Sequence, residues 1–427
     1  MSRIEHTSSY YAATATVRPE NESLQGERTC DVCVVGAGFA GMSTALHLAE
    51  KGYKVIVLEA ARIGYGASGR NGGQVVNGFS RGYDSVKTWY GEDTARALLN
   101  MSFEGANIIR ERIQKYNIQC DYKPGGFFSA MNKNQMSGLE HEKKTWENAG
   151  HTGLELFDAA RIPEVVDTNI YCGGLLDKWG GHIHPLNLVL GQAAAFEKLG
   201  GVIFEQSRAM YIEKTARPAV ITQHGRVFAD KIVICGNAYL ADAVPELSSR
   251  IMPCSSQIVV TEVLGDELTR KMLPTDYCVE DCNYLLDYYR ITADKRLLFG
   301  GGVIYSGYEP EDVVRRIWPH VLKTFPYLKG RKVEFAWNGQ FALTFTRMPH
   351  IGRLNDSVYF IQGDSGHGVT STHLLGKLVA EAINKQQTQF DVFAGMTNFP
   401  IPGGRMFRLP YTVLGAWYYT LRDKLGI

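Results

Sequence analysis

A glycine-rich turn between two apolar runs constrains the fold of this chain more than any other feature. Residues 34–41 read Val-Val-Gly-Ala-Gly-Phe-Ala-Gly, and the run Lys54–Leu58 ends at an acid, Glu59. This order predicts a strand, a tight turn, a helix from Met42 to Glu50 and a second strand. Because the free amides of a helix N-terminus attract phosphate, the motif also predicts a dinucleotide site.

Each residue type in this motif has a physical role. Gly36 permits the tight turn, Gly38 lets the backbone approach a pyrophosphate, and Gly41 lets the helix pack closely on the sheet. Glu59 can accept hydrogen bonds from both hydroxyls of an adenosine ribose, and its charge repels a 2′-phosphate. The sequence therefore predicts FAD or NAD rather than NADP.

The composition excludes several other classes of function. The 427 residues leave room for two domains, and 45 basic against 44 acidic residues give no reason to expect nucleic acid. The N-terminus lacks the apolar core of a signal peptide, and no apolar stretch approaches the about 20 residues of a membrane span. We expect a soluble cytoplasmic protein. Cys30 and Cys33 form a C-x-x-C inside the first strand without a second pair at metal spacing, so we expect buried thiols and no metal site.

Further along the chain, the patterns predict two kinds of sheet. Helical spacing is found from about 85 to 116 and from 186 to 199, the second helix starting at His184-Pro185. Short apolar strands are predicted at 202–205, 219–222, 226–228, 232–236 and 358–361. Alternating patterns at 257–262, 284–291, 296–299 and 332–337 predict an antiparallel sheet.

A second glycine loop, Gly363-Asp-Ser-Gly-His-Gly-Val-Thr370, opens a helix predicted at 369–383. A nicotinamide enzyme has no need of a second helix N-terminus aimed at its cofactor. A reduced flavin accumulates negative charge around N1 and C2=O, which such a terminus stabilises. The alternative is an ordinary strand–turn–helix junction with His367 at the surface.

Several longer motifs resemble the D-amino acid oxidase superfamily of FAD enzymes over nearly the whole chain. The most specific are Gly66-Ala-Ser-Gly-Arg-Asn-Gly-Gly-Gln74 and Val279-Glu-Asp-Cys-Asn-Tyr-Leu-Leu-Asp-Tyr-Tyr-Arg290. Others are His6–Ala12, Gly180–Asn187, Arg347–Gly352 and Pro402–Arg405. The resemblance implies an α/β fold, in which a Rossmann-like FAD-binding domain is interleaved with an antiparallel-sheet substrate domain, as in glutathione reductase-like FAD folds. We assign residues 1–28 to an N-terminal arm, 29–85, 152–247 and 335–427 to the FAD-binding domain, and 86–151 and 248–334 to the substrate domain.

The resemblance also implies contacts with FAD. The pyrophosphate would lie on Gly36, Gly38, Ala40 and Gly41, and the ribose would bind Glu59. The flavin ring would lie along Ser68, Arg70, Asn71 and Gly72, and its pyrimidine edge would contact Gly366, His367, Gly368 and Thr370. The adenine would contact the Met210 backbone, and Gly236 and Asn237 would flank the phosphates. Neighbouring members of the implied set are Phe39, Ala60, Arg62, Ala67, Gly73, Gln74, Gly363 and Val369. Arg70 could instead be a solvated charge. Family members with covalent FAD use a cysteine near the C-terminal glycine loop. Since no cysteine follows Cys282, a non-covalent FAD is implied.

The reaction that the resemblance implies is the oxidation of an amine by FAD. The implied substrate is the primary amine of γ-glutamylputrescine or a related γ-glutamyl polyamine, in polyamine catabolism. The products would be an aldehyde, ammonia and, with dioxygen as acceptor, hydrogen peroxide. Three alternatives remain open: another amine such as sarcosine or a D-amino acid, a quinone or carrier as acceptor, and a non-catalytic flavin-binding scaffold.

Six residues are candidates for the substrate side of the site: His182, His184, Tyr288, Arg290, Trp337 and Arg347. We expect Tyr284, Tyr288 and Arg290 to share one face of a strand, with Arg290 as the anchor for a substrate carboxylate. An ordinary half-exposed strand is the alternative, as is a helix-capping role for one histidine. The aromatic segment 407–419 could pack on the FAD-binding domain, a partner subunit or a membrane surface, and its composition does not choose among these. The oligomeric state is likewise left open.

Overall fold

The computed structural model describes residues 3–240, 243–305, 308–386 and 388–402, together with positions 415, 418, 421 and 422. The strands in chain order are β1 Gly26–Val35, β2 Val55–Leu58, β3 Gln74–Val75, β4 Lys123–Ala130, β5 Leu154–Asp158, β6 Gly173–His182, β7 Val202–Phe204, β8 Tyr211–Glu213, β9 Ala219–Ile221, β10 Gly225–Ile234, β11 Ile251–Thr261, β12 Cys278–Asp281, β13 Tyr288–Ile291, β14 Leu297–Tyr305, β15 Val333–Thr344, β16 His350–Asn355 and β17 Val358–Gln362. The helices are α1 Tyr10–Thr14, α2 Phe39–Ala49, α3 Tyr83–Tyr90, α4 Glu92–Met101, α5 Glu104–Tyr116, α6 Lys133–Asn148, α7 Pro185–Lys198, α8 Pro245–Ser248, α9 Asp266–Met272, α10 Val313–Thr324, α11 Gly368–Ile383 and α12 Thr388–Ala394.

The first sheet has the strand order β16-β17-β10-β1-β2-β7, and its central pairs are parallel. All four residues of β2 are buried, as expected for a parallel strand that is covered on both faces. The two runs predicted at 226–228 and 232–236 form a single strand, β10. This strand is long because its first half pairs with β9 and its second half with β17.

Four helices pack together on one face of this sheet: α2, α5, α7 and α11. Helix α11 is buried nearly all round, since thirteen of its sixteen residues are buried. Small residues allow the close approach of its neighbours. A Cβ atom at Gly376 of α11 would lie 2.6 Å from the Ser43 Cβ of α2, and one at Gly105 of α5 would lie 2.2 Å from the Thr370 carbonyl oxygen.

The second sheet has the order β15-β11-β14-β13-β12-β4-β6-β3, with β5 on β6. Its pairs are antiparallel except for β12 with β4. The buried side of α10 packs against β11, β14 and β15 and covers this sheet. A parallel sheet and a mainly antiparallel sheet, interleaved along the chain, are therefore both present as predicted.

Several element boundaries differ from the predictions. Residues 85–116 form three helices, because Gly91 at φ +86° ends α3 and begins α4, and a turn at 102–103 separates α4 from α5. Tyr284 lies in a turn before β13 and not on the strand. Strands β5, β6 and most of β15 belong to the second sheet, although their residues fall in the segments assigned to the FAD-binding domain. Helix α5, assigned to the substrate domain, packs on α11.

The N-terminal arm contacts both halves of the fold. The Ile4 amide donates to Gln206 after β7, and the Tyr10 hydroxyl donates to Asp294 after β13. Ser9 caps α1 by accepting a hydrogen bond from the Ala12 amide, and Tyr10 and Tyr11 are buried. The segment 407–419, whose packing the sequence left open, lies outside the described residues except at positions 415 and 418. No helix in the described part of the chain is long and apolar enough to cross a membrane.

Candidate functional site

A cavity of about 670 Å³ lies where the carboxyl ends of the parallel strands meet the second sheet. This is the expected position for a ligand in an open α/β sheet, and the volume is typical of ligand sites. Twenty of the twenty-four residues that the sequence indicated for FAD line this cavity; the exceptions are Gly41, Arg62, Gly73 and Gly363.

The first glycine turn lies directly after β1. Gly36 has φ +105°, and a Cβ atom at Gly41 would lie 1.9 Å from the Gly36 carbonyl oxygen. Gly41 is therefore needed for packing between helix and turn, and it does not face the cavity. A Cβ atom at Gly38 would approach the Ser68 Oγ to 2.8 Å, and the Phe39 amide donates to that oxygen at 2.8 Å. The turn can therefore adopt this conformation only with glycine at these positions, and Gly36 and Gly38 present their backbone to the cavity.

Glu59 ends β2 with a buried carboxylate. The Ala37 amide donates to its Oε2 at 2.8 Å and the Ala61 amide to its Oε1 at 2.9 Å. Burial raises the pKa of Glu59, and these two backbone hydrogen bonds oppose that shift. The carboxylate is held rigidly at the cavity wall and has acceptor capacity left for ribose hydroxyls.

Arg62 does not face the cavity. Its guanidinium lies 3.0 Å from the Glu20 carboxylate and 3.6 Å from the Glu205 carboxylate. It joins the N-terminal arm to the end of β7, so a contact with FAD is not supported by its position.

The glycine-dense loop, residues 64–74, forms the floor of the cavity next to this turn. The Arg70 Nε donates to the Tyr65 carbonyl at 2.8 Å, and its guanidinium carbon lies 4.5 Å from the centroid of the Tyr65 ring. Arg70 is 8% exposed, so it is not the solvated charge of the alternative interpretation. Asn71 donates to the Ala67 and Ser68 carbonyls and holds the loop's own backbone.

The C-terminal glycine loop, residues 363–370, forms the opposite wall. Asn237, at φ 43°, donates from Nδ2 to the Asp364 carboxylate at 3.1 Å and accepts from the Gly363 amide at 2.9 Å. Burial raises the pKa of Asp364 to about 6. Gly363 itself packs on Thr344, where a Cβ atom would lie 2.3 Å from the Cγ2.

His367 is not the surface side chain of the alternative interpretation. It lines the cavity just before α11, and burial lowers its pKa to about 4, so its imidazole is neutral. Its Nδ1 is buried and has no hydrogen-bond partner among the described residues. A cavity-lining histidine with an unpaired polar atom at the start of a helix fits a site for a polar ligand edge.

Met210 lines the same cavity, next to the hairpin of β8 and β9. Its amide donates to the Ile221 carbonyl at 2.8 Å, and its side chain is 60% exposed. The Met210 N–H is therefore used by the hairpin, and a backbone contact with adenine would involve the Met210 carbonyl group. Its neighbours Arg208 and Ala209 also line the cavity at this end.

Four of the six candidates for the substrate side do not line the cavity. Arg290 is 2% exposed, and its guanidinium donates to the Gly72 carbonyl at 2.8 Å and to the Tyr11 hydroxyl at 3.1 Å. The Trp337 Nε1 donates to the Arg70 carbonyl at 2.9 Å. Both side chains hold the glycine-dense loop from behind, so Arg290 is not placed to anchor a substrate carboxylate.

The two histidines are also structural. His184 caps α7, since its Nδ1 accepts from the Asn187 amide at 3.1 Å, and its Nε2 lies 3.0 Å from the Thr14 hydroxyl. The His182 Nε2 lies 2.9 Å from the Asp276 carbonyl. Burial, followed by the charge of Arg290, lowers the pKa of each histidine to about 3.

The part of the cavity that faces the second sheet is called the substrate lobe here. Its polar residues are Ser256, Glu280, Tyr284, Tyr288 and Arg347. The Tyr288 hydroxyl lies 3.1 Å from the Ser256 Oγ, and a Cβ atom at Gly72 would lie 2.4 Å from the Tyr288 ring. The lobe therefore adjoins the glycine-dense loop directly.

Glu280 is the residue that sequence reasoning missed. Its only signal was its place within the specific run 279–290. Because Glu280 pairs with Tyr288 across β12 and β13, the two side chains lie on the same face of the sheet.

These features fit FAD. Gly36, Gly38 and Gly72 line the cavity at positions where a Cβ atom would collide with neighbouring protein atoms. A buried carboxylate lies at the tip of β2, and a histidine with an unpaired ring nitrogen lines the cavity beside a helix N-terminus. All eight cysteines are free thiols. Among the described residues, no three His, Cys, Asp or Glu side chains form a metal-ligand group.

Comparison with known proteins gives a consistent result. The family model described as "FAD dependent oxidoreductase" (DAO) matches residues 31–382. The chain is 54% identical over 424 residues to the gamma-glutamylputrescine oxidoreductase of Escherichia coli (strain K12), covering 99% of this chain and 100% of that protein. Two similar solved structures are glycine oxidase from Bacillus cereus (TM-score 0.69, 19% identity, 84% of this chain and 96% of that one) and L-proline dehydrogenase from P. horikoshii (TM-score 0.71, 20% identity, 86% and 96%).

Proposed function

This chain belongs to the DAO family of FAD-dependent oxidoreductases, and we propose that it oxidises the primary amine of γ-glutamylputrescine or of a related γ-glutamyl polyamine. One observation carries the proposal: a single cavity joins the glycine-lined walls of a dinucleotide site to a lobe that contains both a carboxylic acid side chain, Glu280, and a guanidinium group, Arg347. The name of the 54% identical relative supports the choice of amine.

Residues on three walls would hold the cofactor. The amides of the turn after Gly36 and the N-terminus of α11 would bind the phosphates and the pyrimidine edge. Glu59 would bind the ribose, and the glycine-dense loop would lie along the ring. When bound, FAD supplies the hydride acceptor for an amine C–H bond.

The substrate lobe suits a molecule with charges at both ends. A γ-glutamyl diamine carries an α-amino acid group at one end and an alkylammonium at the other. Arg347 can bind the carboxylate, since a guanidinium forms paired hydrogen bonds with it, and Arg290 cannot because it is buried behind the loop. The cavity lining also includes the aromatic residues Tyr284, Tyr288 and Phe341, which would exclude water from the alkyl chain.

We further propose that the imine product hydrolyses to an aldehyde and ammonia, that dioxygen is the electron acceptor and yields hydrogen peroxide, and that FAD is not covalently attached. The absence of any cysteine after Cys282 supports the last point. Acid precipitation of the yellow protein tests it directly, because all of the flavin should remain in the supernatant.

An anaerobic titration of the purified flavoprotein tests the reaction and the substrate together. γ-Glutamylputrescine, putrescine and sarcosine are added in parallel while the flavin absorbance is recorded. We expect rapid bleaching by γ-glutamylputrescine alone, followed by recovery of the colour and one equivalent of hydrogen peroxide when oxygen is admitted. Bleaching by sarcosine alone would replace the substrate, and recovery with a quinone but not with oxygen would replace the acceptor. A lack of bleaching by all three amines would refute the proposal.

A further inference from the structure

We propose that Glu280 recognises the ammonium group of the substrate and takes a proton from it, so that the neutral amine is the form that reacts. This inference rests on the proposed function and deepens it. It assigns a direct role in proton transfer to a residue that the cofactor site itself does not require.

The position of Glu280 supports this role. Glu280 lies on β12, opposite Tyr288 of β13, and both residues line the substrate lobe. The Tyr288 ring contacts Gly72 of the glycine-dense loop. Glu280 is on the same face of the sheet as Tyr288, so its carboxylate is on the side of the sheet that meets this loop. No hydrogen bond within the described part of the chain occupies its two carboxylate oxygens, and the residue belongs to the lining of the lobe.

The charged groups that shift the pKa of Glu280 are both acids. Asp281 is its neighbour on β12, and Glu142 approaches from α6. Arg290 of the paired strand β13 is the nearby cation, and its guanidinium is bound to Gly72 and Tyr11. The other titratable groups near Glu280, the thiols of Cys278 and Cys282 and the Tyr288 hydroxyl, are neutral because burial raises the pKa of each. Burial first, and then the two acids, raise the pKa of Glu280 to about 8. A carboxylate in this setting lacks a positive partner, and an alkylammonium ion can supply one.

The chemistry of the step follows from these surroundings. An alkylammonium has a pKa of about 10.4 in water, and its nitrogen lone pair is tied up by the proton. In the lobe, a Glu280 carboxylate oxygen accepts that proton: one N–H bond breaks, one O–H bond forms, and no electrons leave either molecule. Two buried charges become a neutral amine and a neutral acid, which a poorly hydrated cavity favours.

This assignment predicts a proton balance that can be measured without turnover. At pH 7, before binding, Glu280 carries its proton and the free amine carries the extra proton of an ammonium ion. In the complex, Glu280 and the amine share only one of these two protons. Binding at pH 7 should therefore release nearly one proton to solvent, and binding at pH 9 should release almost none. The probe is the γ-glutamyl amide of 4-methylpentane-1,4-diamine, whose amine-bearing carbon has no hydrogen and cannot be oxidised. Calorimetry of the holoenzyme in two buffers of different ionisation enthalpy gives the proton count.

Rapid kinetics of anaerobic flavin reduction provide the second readout. For the wild type, the rate constant per molar γ-glutamylputrescine should rise through about pH 8 and fall above about pH 10. In Glu280→Gln, the rise of the rate constant around pH 8 (the lower limb of the pH profile) should be absent. The limiting rate of flavin reduction at pH 8 should fall by at least about 100-fold, a typical size for a lost proton acceptor. Glu280→Asp should restore part of the rate. The matched control is Glu142→Gln, which removes a neighbouring acid outside the cavity lining and should keep the limb while moving it to lower pH.

The outcomes separate this inference from the proposed function. If γ-glutamylputrescine fails to bleach the wild-type flavin, the proposed function fails. If the wild type is bleached but probe binding at pH 7 releases no proton, the role of Glu280 is refuted, and this result needs no variant. The same conclusion follows if Glu280→Gln binds FAD normally and keeps the lower limb at an unchanged rate.

Discussion

Substitution of Gly105 by alanine should weaken FAD binding, although Gly105 does not line the cavity. Gly105 lies on α5, and a Cβ atom there would lie 2.2 Å from the Thr370 carbonyl oxygen and 2.6 Å from its carbon. Real Cβ contacts are essentially never below 3.0 Å, so the first turn of α11 must move by about 0.8 Å. Such overpacking costs about 1–3 kcal/mol. Because that turn would face the flavin's pyrimidine edge, a cost borne by the bound state raises the Kd for FAD by about 5- to 150-fold.

The assay is a titration of apoprotein with FAD, together with thermal unfolding of the apoprotein. Gly105→Ala should raise the Kd, and whatever part of the cost is present without FAD should lower the apoprotein Tm by at most about 1–3 °C. Gly138→Ala is the matched control, because Gly138 is exposed inside α6 with nothing within 4 Å of its Cβ position. That variant should gain about 0.5–1 kcal/mol of stability and leave FAD binding unchanged. An unchanged Kd and Tm for Gly105→Ala would show that the helices do not meet as closely as described.

Three further substitutions have expected outcomes. Arg290→Met removes bonds to Gly72 and Tyr11, so it should lower the Tm and the FAD content. The KM of the FAD-loaded variant for γ-glutamylputrescine should stay close to that of the wild type, and a large rise would restore Arg290 as the carboxylate anchor. Glu59→Ala should raise the Kd for FAD at least about tenfold in the same titration, since the ribose loses its acceptor; an unchanged Kd would remove that role. Glu280 has a folded pKa of about 8 against 4.5 for an unperturbed Glu, so its proton stabilises the fold below pH 4.5 and this contribution is lost as the pH rises to 8. The apoprotein Tm of Glu280→Gln should therefore exceed that of the wild type by more at pH 9 than at pH 5, and an equal difference at both values would contradict the raised pKa.

The parts of the fold and site that the sequence predicted well are those set by local geometry. The strand–turn–helix at 34–49 needs glycines at fixed positions, because Gly36 has a positive φ and a side chain at Gly41 would collide with it. The C-terminal glycine loop is similar, since a turn after β17 leads straight into α11. Neighbours in sequence decide such conformations, so a motif is sufficient to locate them.

The roles of isolated polar residues depended on contacts that no local pattern contains. The expectation that Tyr288 and Arg290 share a face agrees with their common contact at Gly72. The partner that removes Arg290 from the substrate lobe is Tyr11, 279 residues away in the N-terminal arm. His184 is similar, because one of its ring nitrogens caps α7 and the other reaches Thr14 of the same arm.

The three acids of the run 279–287 show most clearly why chemistry required the structure. Asp281 accepts hydrogen bonds from the Asn283 and Asp287 amides and shapes the turn, and Asp287 lies 2.8 Å from the His320 imidazole. Both carboxylates therefore have structural partners. Glu280 differs from them because strand alternation points its side chain toward the cavity while its neighbour's points into the turn. The sequence marked this run as specific, but only the pairing of β12 with β13 indicates which of its carboxylates can meet an amine.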